Sequence, residues 1–312
     1  MEYLTLENSD LKVSRLCMGG CPMGGYGWGD VQEQDLIEAV HVAIYKGVTF
    51  FDTADTYGLG QSEKTLGKAL ENNRKNVVIA TKFGVKVENG NTTYDNSPRY
   101  IKKALDNSLK RLGTDYVDLY QIHYLDGITP ISTVVETLDE LQTEGKIRYY
   151  GMSNIHTNDI NLIKPFAGKF VSFQDEYSLA CRKNERDMMN ISSELKMTPL
   201  TWGSLGQGIL TGKYDKNVSF ESNDRRSRDI YVNFHGKKLL KNLEIVDKLR
   251  QISKECNKPL SAIAIRYILD FLPKSVILAG AKRPSQILDN LKAMDWHLNQ
   301  NELSLLDNIS KD

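Results

Sequence analysis

The sequence predicts an α/β protein folded as a (β/α)8 TIM barrel. Strand and helix patterns alternate along nearly the whole chain, and eight short apolar runs have the length of buried strands. Each connection between consecutive strands is long enough for a crossover, which indicates a parallel sheet. Eight such units in ~300 residues fit a closed barrel. We therefore expect one domain over residues 1–312, with a short N-terminal β-hairpin and C-terminal helices.

The strands follow from apolar runs that end at turn residues. The hairpin is predicted from residues 3–6 and 11–13, which flank turn-forming residues 8–10. The eight barrel strands are predicted at residues 15–18, 48–51, 76–82, 117–123, 149–152, 171–173, 199–202 and 276–279.

The helices follow from apolar stripes at helical spacing and from their capping residues. Asp30 is expected to cap the first helix, with Glu33 at the capping-box position. Ser97 and Pro98 open another helix in cap-then-proline order, and Gly113 follows it. Further helices are expected at residues 62–70, 130–144, 158–164, 184–195, 239–255, 260–272, 285–291 and 300–309.

Four loops are expected to shape a substrate pocket, at residues 19–29, 84–94, 125–129 and 213–238. The last loop is polar and long, which is typical of a lid or a disordered segment. An open, doubly wound sheet is the competing fold. However, the glycines of residues 19–29 lack the G-x-G-x-x-G spacing, and Pro22 argues against a helix starting there.

The composition excludes several classes of protein. The 312 residues carry 40 basic and 40 acidic side chains, so the net charge gives no indication of nucleic acid or of a membrane surface as partner. No apolar run approaches ~18 residues, and the N-terminal segment does not resemble a signal peptide. Four cysteines are too few for a disulfide framework and supply no metal-ligand set. A reduced, soluble, cytoplasmic protein without a metal is the expectation.

Polar side chains stand where the predicted strands end. In a barrel these ends share one face, which carries the chemistry. Asp52 and Tyr57, taken alone, could be a strand terminus and a turn aromatic, and a chance collection of polar strand ends stays open as an alternative. Buried charged and amide groups nevertheless need partners, which favours a site. The face is expected to bring together Asp52, Tyr57, Lys82, His123, Ser153, Asn154, Gln174, Trp202 and Gly280.

Four of these residues fit proton donation to a carbonyl oxygen. A tyrosine can act as the acid if its pKa, about 10 in water, is lowered toward the working pH. A lysine ammonium at ~4 Å in a site of effective dielectric ~20 supplies about 4 kcal/mol, enough for a shift of ~3 units. We therefore expect Lys82 to lower the pKa of Tyr57, Asp52 to hold Lys82, and His123 to orient the carbonyl.

Seven spaced motifs resemble the aldo-keto reductase superfamily, in order from about residue 16 to residue 290. The resemblance is closer to its bacterial and channel β-subunit-like branches than to mammalian aldose reductase. The motifs are FFDTADTYG with the following Ser62 and Glu63, IATKFG, YQIH, GMSN, FQDEYSL, WGSLGQGILTGKY and GAKRPSQILDN.

The resemblance implies a catalytic tetrad of Asp52, Tyr57, Lys82 and His123, with Tyr57 as general acid and hydride supplied by NADPH. Lys282 and Arg283 would contact the adenosine 2′-phosphate, which favours NADPH over NADH. A solvated basic pair on a loop is the alternative for these two residues. The implied cofactor-binding residues are Gly20, Cys21, Asp52, Ser153, Asn154, Gln174, Trp202, Gly203, Ser204, Leu205, Gln207, Gly208, Gly280, Lys282, Arg283, Gln286 and Asn290.

Within that set the resemblance assigns distinct parts of the cofactor. Ser153, Asn154 and Gln174 would bind the carboxamide. Trp202 stands where the family usually has a tyrosine stacked on the nicotinamide. Residues 203–208 would cradle the pyrophosphate with backbone amides. Gln286 and Asn290 match the adenine contacts, while Gly20 and Cys21 would lie near the nicotinamide ribose.

The function implied is an NADPH-dependent oxidoreductase that reduces an aldehyde or ketone to an alcohol. Trp28, Tyr57 and His123 are expected to contact the substrate, although Trp28 could equally be a packing aromatic. An NADPH-binding sensor subunit with little turnover is the alternative, and a barrel isomerase or lyase without redox chemistry is a third. The sequence does not identify the carbonyl substrate, the physiological direction or the oligomeric state.

Overall fold

The computed structural model of the protein describes residues 1–25 and 27–311. Residue 26, in the predicted pocket loop, and residue 312, in the predicted domain, lie outside the described residues. Eight parallel strands close into a barrel with helices between them, which confirms the predicted TIM barrel. The short antiparallel N-terminal hairpin is also confirmed.

The hairpin consists of β1 and β2, and the barrel of β3, β4, β5, β8, β9, β10, β11 and β12. A second hairpin, β6 with β7, follows β5. The bounds are β1 (Tyr3–Thr5), β2 (Lys12–Ser14), β3 (Leu16–Gly19), β4 (Phe50–Asp52), β5 (Val78–Phe83), β6 (Val85–Glu88), β7 (Asn91–Tyr94), β8 (Val117–Ile122), β9 (Ile147–Ser153), β10 (Phe170–Glu176), β11 (Thr198–Trp202) and β12 (Val276–Gly280).

The helices surround the barrel or pack near its C-terminal end. They are α1 (Glu33–Tyr45), α2 (Gln61–Leu70), α3 (Pro98–Leu112), α4 (Ile131–Thr143), α5 (Ile160–Ile163), α6 (Glu185–Leu195), α7 (Gly236–Cys256), α8 (Leu260–Phe271), α9 (Pro284–Leu291) and α10 (Gln300–Ser310). None of the helices in the described part of the chain combines the length and apolarity that crossing a bilayer requires.

The barrel closes where β12 pairs with β3, and its register aligns the strand ends. Gly280 lies opposite Gly19, and Gly19 lies opposite Asp52. On the other side of the barrel, Gln174 lies opposite Ser153. Because all eight strands are parallel, these residues meet on one face.

The opposite end of the barrel is covered by the β1–β2 hairpin. Leu6, Leu11 and Val13 are almost fully buried there and pack on the apolar side chains that fill the barrel. Those inward side chains are Cys17, Phe50, Val78, Ala80, Leu119, Val171, Leu200, Val276 and Leu278. A separate and larger apolar layer lies between the strands and the helices. The polar face is therefore the open end of the barrel.

Three local predictions need correction. Asp30 does not cap α1, because its carboxylate accepts a hydrogen bond from Gln32 and the helix begins at Glu33. Pro22 does not prevent a helical start, since a 3-10 turn occupies Cys21–Gly24 with proline in its first turn. Residues 84–94 are not a plain loop but contain the β6–β7 hairpin.

Candidate active site

The open face of the barrel is centred on a buried ion pair. Asp52 ends β4 and Lys82 lies near the end of β5, the next strand in the barrel. The Lys82 Nζ donates to Asp52 Oδ1 at 2.6 Å and to the Thr53 carbonyl at 2.9 Å. It also donates to the Tyr57 hydroxyl at 3.2 Å. Three of the predicted residues are therefore in direct contact.

The loop that carries Tyr57 is held in place by the preceding βα loop. Ser62 Oγ donates to the Gly20 carbonyl at 2.7 Å, and the Gly20 N–H donates to the Asp52 carbonyl at 2.6 Å. Gly24 packs against the backbone next to Tyr57, and a Cβ added at Gly24 would lie 2.7 Å from the Gly58 nitrogen. Only glycine permits this approach, so the two loops fix the phenol over Lys82.

His123 follows β8 and completes the predicted group of four. Its ring lies 6.1 Å from the Tyr57 ring, nearly perpendicular to it, and stacks on Tyr124 at 5.2 Å. Asn154 Nδ2 donates to the His123 carbonyl at 2.9 Å. Burial and the nearby Lys82 charge lower the pKa of His123 to about 3, so the imidazole is neutral at physiological pH.

The pKa of Tyr57 shifts in the direction opposite to the predicted one. Burial raises the pKa of Tyr57 above its ordinary value, Lys82 opposes this effect, and Asp52 adds to it. The predicted lowering of the Tyr57 pKa is therefore wrong. For Lys82, burial disfavours the ammonium, but Asp52 and Tyr57 raise its pKa overall, so it stays charged. The phenol is thus protonated at neutral pH, which is the form a general acid requires.

The second oxygen of Asp52 is bound by two amides. Gln121 Nε2 donates to Asp52 Oδ2 at 3.0 Å, and Gln174 Nε2 donates to the same oxygen at 2.9 Å. Gln121 was not among the predicted site residues. Its signal in the sequence is its place two residues before His123, because side chains two residues apart in extended backbone point to the same side.

The three residues expected at a carboxamide lie side by side. Ser153 ends β9, Asn154 follows it, and the Asn154 N–H donates to the Gln174 carbonyl at 2.8 Å. The Ser153 hydroxyl is buried and has no hydrogen-bond partner within residues 1–25 and 27–311. Trp202, half-buried, ends β11 opposite Glu176 of β10. This group can receive a polar ligand beside Lys82 and Tyr57.

Residues 203–208 form a turn after β11 whose predicted polar side chains bond within the protein. Ser204 Oγ donates to the Thr201 carbonyl at 2.8 Å. Gln207 Nε2 donates to Glu176 at 3.1 Å, and Gln207 Oε1 accepts from Asn233 at 2.6 Å. The N–H groups of Gly206 and Gly208 bond inside the turn, to the carbonyls of Gly203 and Leu205. An anion held here would therefore find the side chains of Ser204 and Gln207, and the N–H groups of Gly206 and Gly208, already bonded within the protein.

Lys282 and Arg283 follow β12 and point in different directions. Lys282 Nζ donates to the Trp28 carbonyl at 2.6 Å, next to the first βα loop. Burial, followed by the charges of Arg226 and Lys213, lowers the pKa of Lys282. Arg283 is 59% exposed and faces Asp35 of α1 at 3.6 Å. The structure therefore groups Lys282 with Arg226 and Lys213 of the long loop, which sequence reasoning missed, and the carboxylate of Asp224 binds Arg226 in the same group. Arg283 is close enough to lower the pKa of Lys282 as well, but its exposed side chain faces Asp35.

The remaining predicted residues lie near these two groups. Gln286 accepts a hydrogen bond from the Lys282 N–H at 2.7 Å. Asn290 is buried, and its Nδ2 lacks a hydrogen-bond partner in the part of the chain that the structure describes. Cys21 begins the 3-10 turn after Gly20, and Gly280 ends β12. The Trp28 ring meets the Tyr231 ring edge-on at 6.0 Å, which links the first βα loop to the long loop.

The unsatisfied atoms allow a test of whether a nicotinamide dinucleotide would fit. The Ser153 hydroxyl and the Asn290 amide are buried polar groups whose isolation costs free energy unless a ligand binds them. They lie at the two positions that the resemblance assigns to the carboxamide and the adenine, at opposite ends of the predicted cofactor site. The residues present therefore fit such a cofactor.

The chain is similar to known proteins over nearly its whole length. The family model described as "Aldo/keto reductase family" matches residues 15–311. The Schizosaccharomyces pombe protein "Aldo-keto reductase yakc [NADP(+)]" is 32% identical over 89% of this chain and 82% of its own length. The Escherichia coli "NADH-specific methylglyoxal reductase" is 28% identical over 98% of this chain and 97% of its own length.

A solved structure agrees with the sequence matches. The glycerol dehydrogenase AKR11B4 from Gluconobacter oxydans superposes with a TM-score of 0.88 at 30% identity, covering 98% of this chain and 94% of that chain. Two of these three similar proteins are bacterial, in agreement with the predicted bacterial-type resemblance. The chain belongs to the aldo/keto reductase family.

Proposed function

We propose that this protein is an NADPH-dependent reductase that converts an aldehyde or ketone into an alcohol. The observation that carries the proposal is the contact of the Tyr57 hydroxyl with the Lys82 ammonium, which Asp52 holds from the other side. This arrangement places a proton donor beside a buried positive charge, at the mouth of the barrel. Family membership supports carbonyl reduction as the reaction class.

In this mechanism each residue has a separate role. Tyr57 donates its proton to the carbonyl oxygen as negative charge develops there, and Lys82 stabilises the resulting phenolate. Neutral His123 donates a hydrogen bond to the same oxygen and fixes its direction. Ser153, Asn154 and Gln174 would hold the carboxamide, and Trp202 would face the ring. The nicotinamide, when bound, supplies the hydride.

The surroundings of Lys282 support NADPH as the cofactor. Lys282 lies near Lys213 and Arg226, and these three cations outnumber the one carboxylate of the group, Asp224, which suits a phosphate monoester. One similar protein carries NADP(+) in its name, whereas another is named NADH-specific, so the family itself does not decide between the cofactors.

The four cysteines are free thiols, which supports a reducing compartment such as the cytoplasm.

The test is a pair of titrations followed by a turnover assay. Tryptophan fluorescence is recorded while NADPH or NADH is added, since Trp202 would lie against the nicotinamide. Consumption of the preferred cofactor is then measured with 4-nitrobenzaldehyde. Tight NADPH binding with turnover supports the proposal. Tight NADPH binding without turnover over a panel of carbonyls favours the sensor subunit, and binding of NADH alone overturns the cofactor assignment.

A further inference from the structure

We infer that Gln121 is a positioning residue that holds Asp52 and Gln174 in their working orientations. The inference rests on the proposed reductase function and adds to it a residue that the resemblance does not assign. Through these two partners, Gln121 would connect the nicotinamide end of the cofactor site to the proton donor Tyr57.

The contacts of Gln121 support this role. Its side chain is fully buried on β8, next to Asp52 and Gln174. Its Nε2 donates to Asp52 Oδ2 at 3.0 Å, and its Oε1 accepts from Gln174 Nε2 at 3.3 Å. Gln174 Nε2 also donates to Asp52 Oδ2, at 2.9 Å. The three side chains form a closed triangle of hydrogen bonds.

The triangle fixes which end of the Gln174 amide faces the site. A primary amide has two N–H donors and one carbonyl acceptor. Both donors of Gln174 are directed into the triangle, toward Asp52 and Gln121. Its Oε1 is therefore left as an acceptor for a ligand, which matches the NH2 group of a carboxamide.

The triangle also stabilises the charge on Asp52. A carboxylate buried this deeply needs hydrogen bonds to both of its oxygens. Lys82 binds Oδ1, and the two neutral amides bind Oδ2. Because the amides carry no charge, they bind Oδ2 without competing with Lys82 for its role beside Tyr57.

The neighbouring strand leaves room for Gln121. Gly151 of β9 lies opposite Gln121 in the register of the barrel. A Cβ added at Gly151 would lie 2.6 Å from the Ser172 hydroxyl and 3.5 Å from Gln121 Cγ. A side chain at position 151 would therefore displace Ser172, while its Cβ would be in ordinary contact with the glutamine.

The experiment compares two substitutions of Gln121 with a matched control. Gln121→Leu removes both hydrogen bonds with little change in volume. Gln121→Glu keeps the acceptor for Gln174, but its introduced carboxyl can donate to Asp52 only while it is protonated. Tyr120→Phe, on the same strand, removes one buried hydrogen bond, to the Ile101 carbonyl, away from the site. The readouts are kcat as a function of pH and the Kd for NADPH.

We expect Gln121→Leu to lower kcat about ten- to a hundredfold at every pH, and to weaken NADPH binding as well. Two neighbouring carboxyls share a proton, so Gln121→Glu should approach wild-type kcat at low pH. Its kcat should then fall toward that of Gln121→Leu along a new basic limb. Tyr120→Phe should keep the wild-type pH profile.

The outcomes separate this inference from the proposed function. An active wild type, with a Gln121→Glu profile parallel to the wild-type profile, overturns the role of Gln121 and leaves the reductase standing. A wild type that turns over no carbonyl overturns both. If Gln121→Leu does not fold, as judged by circular dichroism, the pH profile of Gln121→Glu alone tests the role of Gln121.

Discussion

The Lys82 ammonium lies 3.2 Å from the Tyr57 hydroxyl and 4.9 Å from the centre of the Tyr57 ring. An ammonium has donors and no acceptor, so the phenol oxygen must accept this hydrogen bond. The hydrogen of the phenol is then directed away from Lys82. The same contact therefore leaves the proton available to a carbonyl oxygen and stabilises the phenolate that remains.

Tyr57→Phe tests this arrangement. We expect carbonyl reduction to fall by at least about a hundredfold, because general acid catalysis by one side chain contributes about that much. The affinity for NADPH should stay nearly unchanged, since the ring remains in place. Single-turnover rates and fluorescence titration measure the two effects. Near-normal turnover in this variant would contradict the proposed mechanism.

Ser153→Ala should change stability and cofactor binding in opposite directions. The Ser153 hydroxyl is buried without a partner among the described residues, so its removal should leave the free energy of unfolding equal or up to about 1 kcal/mol higher. NADPH and NADH should both bind about tenfold more weakly, because the carboxamide they share loses one hydrogen bond. Urea unfolding and fluorescence titration provide the measurements. A loss for one cofactor alone would argue against a carboxamide contact.

Lys282→Ala should discriminate between the two cofactors. We expect about tenfold weaker NADPH binding and less than about a twofold change for NADH, since only NADPH carries the 2′-phosphate. Arg283→Ala is the matched comparison, and its effect should be smaller because Arg283 faces Asp35. Parallel titrations of both variants with both cofactors measure this. Equal losses of NADPH and NADH in Lys282→Ala would refute the 2′-phosphate assignment.

Asp55→Asn should stabilise the protein in a pH-dependent way. Burial and the nearby Glu63 raise the pKa of Asp55 to about 7, and one carboxylate oxygen has no hydrogen-bond partner in residues 1–25 and 27–311. The unfolded chain loses this proton near pH 4, so the carboxyl reduces stability as the pH rises from about 4 to 7. Above pH 7 the loss is complete.

The substitution should therefore raise the free energy of unfolding by up to about 4 kcal/mol at pH 8, and the gain should shrink toward pH 4. Urea denaturation at several pH values measures it. Asp229→Asn, at an exposed position, serves as the control and should have little effect at any pH. A constant gain across this range would mean that the carboxyl of Asp55 does not titrate as described.

The periodic parts of the fold were predictable because burial leaves a regular pattern in the sequence. Each barrel strand is an apolar run covered on both faces, so its existence is evident, although its predicted ends differ from the observed ones by up to three residues. The β6–β7 hairpin was missed because its strands are short and mostly exposed, and because only β6 alternates apolar and polar residues. Its turn residues Asn89 and Gly90, both with positive φ, were the available signal.

Residues of the candidate site were predictable where a strand end imposed the position, as for Asp52, Lys82 and His123. Gln121 was missed because an amide inside a strand looks like any polar strand residue until its partners are known. The predicted direction of the Tyr57 pKa was wrong because the charge of Lys82 lowers this pKa by less than burial of the phenolate raises it. The burial of Tyr57 and the orientation of Arg283 toward α1 both depend on tertiary packing.

The pairing of the first barrel strand with the last also has a consequence for synthesis. Arg15 donates hydrogen bonds to the carbonyls of Leu269 and Ser275, and β3 forms its ladder with β12. Residues before position 20 leave the ribosome long before residues 269–280 do. Until then, the early strands have an unpaired edge and an exposed apolar side. Contacts so distant in sequence form slowly. The nascent chain should therefore depend on chaperones until the last strand emerges, and refolding yield should fall steeply with protein concentration.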